Sequence, residues 1–196
     1  MLTQAVEDEI RELSLRYGEP RRIQTVLSGG VFDPLNRSDR FGEVCMVVRR
    51  TNGKLITAIK TFYPAGAFRL LTGGVNHGES LFEALQREVA EETGLDVEVQ
   101  RFLAVIEYQL PVGQAVYHFA TFAFLLDERG GELTVHDPGE RIGAFREVAP
   151  AELLELAQTL DTIESRFDEE IHGDWADWGR FRAVVHQAVY YALQDE

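Results

Sequence analysis

The chain has 196 residues, 45% apolar and 27% charged, which is ordinary globular composition and enough length for one sizeable core. Its formal net charge of −14 disfavours sequence-independent binding to nucleic acid or to an anionic membrane, because both are themselves negative. The single cysteine, Cys45, excludes an internal disulfide, and the longest unbroken apolar run, Phe122 to Leu126, is far too short to span a bilayer.

No basic-then-apolar segment at the N-terminus suggests secretion, so a cytoplasmic protein is expected. The expected organisation is a single domain: an N-terminal helix and strand over 1–40, a core over 41–150 and a helical C-terminal extension over 151–196. Residues 4 to 17 place Val6, Ile10, Leu13 and Tyr17 at helical spacing, with Gly18 closing the helix before Pro20. Such a helix packs against the core or against a second subunit, which leaves a homodimer open. A strand from Arg22 to Leu27 is followed by turns at Ser28-Gly29-Gly30 and Asp33-Pro34. From Glu43 to Phe62 the pattern is a β-hairpin around Asn52-Gly53, with Cys45 read as a small buried hydrophobe.

Residues 73 to 95, GGVNHGESLFEALQREVAEETGL, hold the densest pattern. Ser80 and Glu83 have capping-box spacing, good helix formers follow from Leu81 to Glu92, and Gly94 is a natural left-handed stop. On that helix Glu88, Glu91 and Glu92 share a face, beside an apolar stripe of Phe82, Leu85 and Val89. Like charges a turn apart repel, so the crowding calls for a cation, and oxygen-only ligands suit Mg²⁺ or Mn²⁺. The plainer reading is a solvated acidic face, with Arg87 pairing with Glu83 and Glu91. Gly73, Gly74 and Gly78 favour the first reading, because they let the backbone of a loop approach a ligand closely.

Beyond this stretch, Val97 to Leu110 and Ala115 to Leu126 read as two long strands joined by a turn at Pro111-Val112-Gly113-Gln114, with another turn at Arg129-Gly130-Gly131. Ile142 to Val148 reads as a last strand, and Pro150 opens a helix over Glu152 to Leu160. Near the end, Trp178, Phe181, Val185, Ala188 and Ala192 form an apolar stripe, read as core or dimer packing, with a ligand role for Trp178 as the lesser alternative. Strands and helices interleave without a repeating βαβ unit, which argues against a Rossmann fold. Five histidines show no mutual metal-ligand spacing, although His77 lies within the glycine-rich segment. Arg69 is a partner for a substrate phosphate or for an acidic neighbour.

Gly73, Glu79, Arg87-Glu88, Glu91-Glu92 and Gly94, with apolar Val89 and Leu95, resemble the Nudix box of the Nudix hydrolases at every defining position. The resemblance implies an α/β fold of α+β type, an α/β/α sandwich around a mixed sheet. It implies a Mg²⁺- or Mn²⁺-dependent enzyme that cleaves a pyrophosphate bond in a nucleoside diphosphate derivative. Glu88, Glu91 and Glu92 would be the metal carboxylates, Arg87 would orient them, Glu79 would fix the loop to the helix, and Thr72 would offer its carbonyl to a metal. Leu71 and Thr72 stand where the family usually has Pro and then Gly or Ala. A further acid from a downstream loop would be Glu140, with a solvated loop residue as the equal alternative and Glu147 as a weaker candidate. The general base is open among Glu88, Glu91 and Glu140. For the substrate, a small nucleotide such as ADP-ribose or another nucleotide sugar is expected. The alternatives are a nucleoside triphosphate or a module that senses a nucleotide without cleaving it.

Overall fold

The computed structural model describes residues 2–33, 35 and 38–195, so Pro34 of the expected turn lies outside the described residues. The elements in chain order are α1 (Gln4–Tyr17), β1 (Arg21–Val26), β2 (Arg40–Arg49), β3 (Leu55–Lys60), β4 (Arg69–Asn76), α2 (Leu81–Thr93), β5 (Leu95–Val112) and β6 (Ala115–Gly131). A short 3₁₀ turn (Pro138–Glu140) and β7 (Ile142–Val148) come next. A second 3₁₀ turn, α3 (Leu153–Asp161), a two-residue strand pair and α4 (Trp175–Leu193) complete the chain.

Strands β1 to β7 form one mixed sheet in the order β1-β5-β6-β2-β4-β3-β7. The pairs β1/β5 and β2/β6 run parallel and the others antiparallel. Helices cover both faces, which explains why β2 and β6 read as nearly continuous apolar runs. On β2, Val44, Met46 and Val48 join the core under α1 and α2, while Cys45 and Val47 join the core under α3 and α4. Alternation of period two thus divides one strand between two cores. The fold is the expected α/β/α sandwich of α+β type.

α1 seats Ile10 and Leu13 in the same core as α2, and Tyr17 stacks on Phe82 at 6.2 Å, so this helix packs within the chain. The stripe on α4 is likewise core: Trp178, Phe181, Val185, Ala188 and Ala192 are all buried.

Three expectations are corrected. The segment Glu43 to Phe62 turns at Asn52-Gly53, but β2 and β3 pair only at Arg49 and Leu55. β4 inserts between them beyond that point, because two antiparallel partners satisfy more backbone than one splayed hairpin. Pro111 lies in β5 opposite Val116, and the turn is Gly113-Gln114 alone. Arg129-Gly130-Gly131 continues β6, where Gly130 and Gly131 pair with Asp96 and Leu95. Gly131 has φ 87 and sits against the Gly94 carbonyl, so its missing side chain serves close strand packing.

Candidate functional site

α2 starts at a full capping box: the Ser80 hydroxyl accepts from the Glu83 N–H at 3.2 Å, and the Glu83 carboxylate accepts from the Ser80 N–H at 3.0 Å. It ends at Gly94 in the left-handed region, φ 63. These ends fix the rotation of the helix, and Glu88 and Glu92 point inward towards β4, 5% and 1% exposed.

Most of the glycine-rich segment is strand, since Gly73 to Asn76 belong to β4 and the chain turns only at His77-Gly78. The first two glycines make room for side chains of this protein rather than for a ligand beside loop backbone. A Cβ on Gly73 would lie 1.8 Å from the Glu88 carboxyl carbon, and one on Gly74 would lie 2.3 Å from an Arg40 guanidinium nitrogen. Gly78, at φ 85, takes the turn itself.

Arg87 is the hub. It donates to both Glu79 oxygens at 2.8 and 2.9 Å, to Glu88 at 2.7 Å, to Glu91 at 3.1 Å and to the Gly74 carbonyl at 2.8 Å. The expected pairing with Glu83 does not form, because the capping box has taken that carboxylate. Glu79 also accepts from the Asn76 N–H at 3.1 Å, which ties the turn to the helix, and its bonds to Arg87 hold its carboxyl below the usual range.

Glu88 and Glu92 meet a third carboxylate, Glu140 from the 3₁₀ turn before β7, with one oxygen of each within 4.8 Å of the others. Glu91 is not in this trio. Its side chain is 38% exposed and lies on Arg87. Burial pushes Glu88 up, against the pull of Arg87. Burial also pushes Glu92 up to about 8, opposed by Arg69 and Lys60. Burial works the same way on Glu140, but the Lys60 ammonium 2.8 Å away, a hydrogen bond shared with Glu92 and the charge of Arg69 together hold that carboxyl below its usual value. Among the described residues the one group in hydrogen-bond reach of Glu92 is another acid, Glu140, and that bond needs a shared proton; with both ionised, neither Glu92 oxygen has a donor. A buried carboxylate stands only if neutral or paired with a cation, so two orphaned oxygens beside two further carboxylates fit a hard divalent ion. The donor set is all oxygen, as Mg²⁺ or Mn²⁺ requires.

Glu88 and Glu140 of the trio, together with Glu91, line a depression of about 380 Å³, whereas Glu92 is not part of its lining. Thr72 and Gly73 also line it, just past the point where pairing of β3 with β4 ends at Leu70. The far wall carries Glu43, Arg182 and Trp178. Arg182 donates to both Glu43 oxygens at 2.7 and 2.9 Å, and the Thr121 hydroxyl adds a bond at 3.0 Å. Arg69 is buried between the walls, donating to Tyr63, to the Leu70 carbonyl and to the Thr72 hydroxyl. That decides its local role, since its hydrogen bonds go to neutral groups while its charge acts on Glu92 at longer range.

Lys60 and Arg182 escaped the sequence reading. Lys60 looks like the polar end of a strand, and Arg182 is the one cation inside an apolar stripe, a signal that could have been read. Two weaker candidates fall elsewhere. Glu147 binds Asn52 at 2.9 Å at the β2–β3 corner, and His77 contacts the Ser38 carbonyl and Phe41.

A NUDIX domain model matches residues 39–170. An ADP-ribose pyrophosphatase of Methanocaldococcus jannaschii is 34% identical over 50% of this chain and 57% of that protein. An NAD-capped RNA hydrolase of Photorhabdus laumondii is 34% identical over 51% of this chain and 37% of that protein. This chain thus spans only part of the length of the relatives it matches. A crystal structure of a UDP-X diphosphatase superposes with a TM-score of 0.50 over 83% of this chain and 67% of that one, at 16% identity, a likeness of fold alone. Among the described residues, no helix is long and apolar enough to cross a membrane.

Proposed function

Because the chain belongs to the NUDIX domain family, we propose that it is a divalent-metal-dependent pyrophosphohydrolase that cleaves a phosphoanhydride bond in a small nucleoside diphosphate derivative. The carrying observation is the Glu88, Glu92 and Glu140 trio, with both Glu92 oxygens buried and lacking a donor when Glu92 and Glu140 are ionised. These three residues would hold Mg²⁺ or Mn²⁺, with the Thr72 carbonyl as a further donor. Such an ion, when bound, supplies charge against the diphosphate oxygens and acidifies water beside it. Arg87 and Glu79 set the angle of α2 against β4 and so fix where Glu88 and Glu91 lie. Lys60 keeps Glu140 ionised, and the buried charge of Arg69 favours an ionised Glu92 once an ion is present.

For the substrate, we assign a nucleotide sugar of the ADP-ribose kind. The support is a depression that offers the guanidinium of Arg141 and the rings of Phe62 and Tyr63 beyond the carboxylates, room for a group past the diphosphate. The name carried by the Methanocaldococcus jannaschii relative agrees with this choice.

The test is product release from ADP-ribose, other nucleoside diphosphate sugars, dinucleoside polyphosphates and nucleoside triphosphates, with Mg²⁺ and with Mn²⁺. Wild type and Glu92→Gln are compared. Metal-dependent turnover that collapses in Glu92→Gln supports the reading and names the substrate. Saturable nucleotide binding without turnover of any of them would replace the enzyme with a sensing module.

A further inference from the structure

The 3₁₀ turn that carries Glu140 has no buried residue, so core packing does not decide where that carboxylate stands. Before the turn, the His136 and Asp137 N–H groups donate to the Glu91 carbonyl at 2.9 and 3.2 Å. After it comes Arg141, a non-glycine residue at φ 54. Glycine adopts that conformation freely and arginine does not, so the side chain kept there invites a search for its use.

We propose that Arg141 is a positioning residue that clasps the Glu140 turn over the carboxylate site. The proposal rests on the reading of Glu88, Glu92 and Glu140 as a divalent-cation site. Three successive residues at the end of β3 grip this turn. Lys60 pairs with Glu140 at 2.8 Å, the Thr61 N–H donates to the Arg141 carbonyl at 2.9 Å, and the Phe62 ring lies 4.4 Å beneath the Arg141 guanidinium. The pairing of β3 with β7 shifts register between Ile59 and Lys60, so the grip falls where the regular ladder breaks.

From the other side Arg141 pairs with Glu170 of the C-terminal extension. Glu170 is itself anchored: its N–H donates to Asp168 at 3.0 Å, and Asp168 accepts from the indole of buried Trp175 at 3.0 Å. A path of contacts therefore runs from the core under α4, through Glu170 and Arg141, to the turn that presents Glu140. Both charged partners are partly exposed, 45% for Arg141 and 42% for Glu170, so the ion pair alone is weak. Together with the ring contact it is enough to shift metal affinity about three- to tenfold.

The experiment measures Mn²⁺ affinity for wild type, Glu140→Gln, Arg141→Gly, Glu170→Gln and the double variant Glu140→Gln/Arg141→Gly, with melting temperatures taken in chelator. Glycine suits the backbone at this position, so Arg141→Gly removes the clasp while relaxing the chain. The expected result is Mn²⁺ binding weakened about three- to tenfold in Arg141→Gly and less in Glu170→Gln. The metal-free melting temperature of Arg141→Gly should not fall. In the Glu140→Gln background the Arg141 change should have no further effect, because a clasp without its carboxylate positions nothing. Unchanged Mn²⁺ affinity in Arg141→Gly, or a loss that adds to that of Glu140→Gln, would overturn the role. A wild-type chain that takes up no Mn²⁺ would remove the carboxylate site itself, and this role with it.

Discussion

Two glutamates are buried to the same degree within electrostatic reach of one guanidinium, Arg69: Glu92 at 1% exposure on α2 and Glu43 at 2% on β2 beside α4. Glu43 is held by Arg182 and Thr121, whereas an ionised Glu92 has no hydrogen-bond donor among the described residues and can bond only by sharing a proton with Glu140. Desolvation costs the two alike, so the difference lies in who supplies the compensating charge. On the α4 wall the protein supplies it, and the carboxylate is part of the fold. Beside α2 no cation among the described residues makes a hydrogen bond to the carboxylate, and the proposed divalent ion would supply that charge. The contrast predicts opposite consequences for the same kind of substitution.

The largest effect is expected for Glu92→Gln, which keeps the shape and removes the charge. Turnover should fall at least about 10³-fold, near 4 kcal/mol of transition-state stabilisation. Thermal stability in chelator should hold near neutral pH, where burial already keeps Glu92 protonated, and should exceed that of wild type as pH rises towards 8, because the amide has no charge to bury. A large drop in stability would mean that Glu92 is structural and the contrast false. Glu43→Ala should do the reverse. Stranding the Arg182 guanidinium should cost about 3 kcal/mol, or a fall of about 6–12 °C in melting temperature. The double change with Arg182→Met should recover most of that, since replacing both members of a buried pair is often neutral.

The pH dependence of stability sharpens the contrast further. Glu92 has a folded pKa raised to about 8 by burial, so without metal the folded chain binds a proton there that the unfolded chain has already lost. Stability must then fall as pH rises towards 8. His186 works in the opposite sense: burial lowers it to about 4, so its contribution is complete above its ordinary value and lost as pH falls through the range below. Between about pH 6.5 and 8 only the Glu92 slope remains of these two, worth about 2 kcal/mol in chelator. Saturating Mg²⁺ should flatten it, and Glu92→Gln should abolish it. A wild-type slope that survives in Glu92→Gln would assign the proton elsewhere.

Much of the α2 wall was legible because its chemistry is local. The capping box, the spacing of Glu88 and Glu92 and the stop at Gly94 all follow from one helix read by itself. Glu91 shows the limit of that reading: about 100° around the helix from Glu92, it lies on Arg87 in the lining of the depression while Glu92 meets the other carboxylates. Glu140 was nameable only from the family resemblance, since no spacing links residue 140 to residue 92 until β5 and β6 have folded back. The α4 wall was harder still. Arg182 reaches Glu43 across 139 residues, and α4 lies beyond the stretch that matches the NUDIX domain model. The strands were placed well but paired wrongly around β2, because periodicity reports which face is buried and not which neighbour supplies the hydrogen bonds.

The smallest effect expected is at the two glycines of β4, and there the contrast narrows to neighbouring positions. A methyl on Gly73 would overlap the Glu88 carboxyl, which Arg87 holds at 2.7 Å and which is 5% exposed, so Glu88 has little room to yield. A methyl on Gly74 would meet the Arg40 guanidinium, whose side chain is 20% exposed and paired with the more open Asp39. That side chain can swing aside. Gly73→Ala should therefore weaken Mn²⁺ binding and turnover about tenfold, near 1.4 kcal/mol, while Gly74→Ala stays within about threefold. Equal losses at the two positions would mean that β4 shifts as a unit, and that Gly73 matters for the strand rather than for the place it leaves to Glu88.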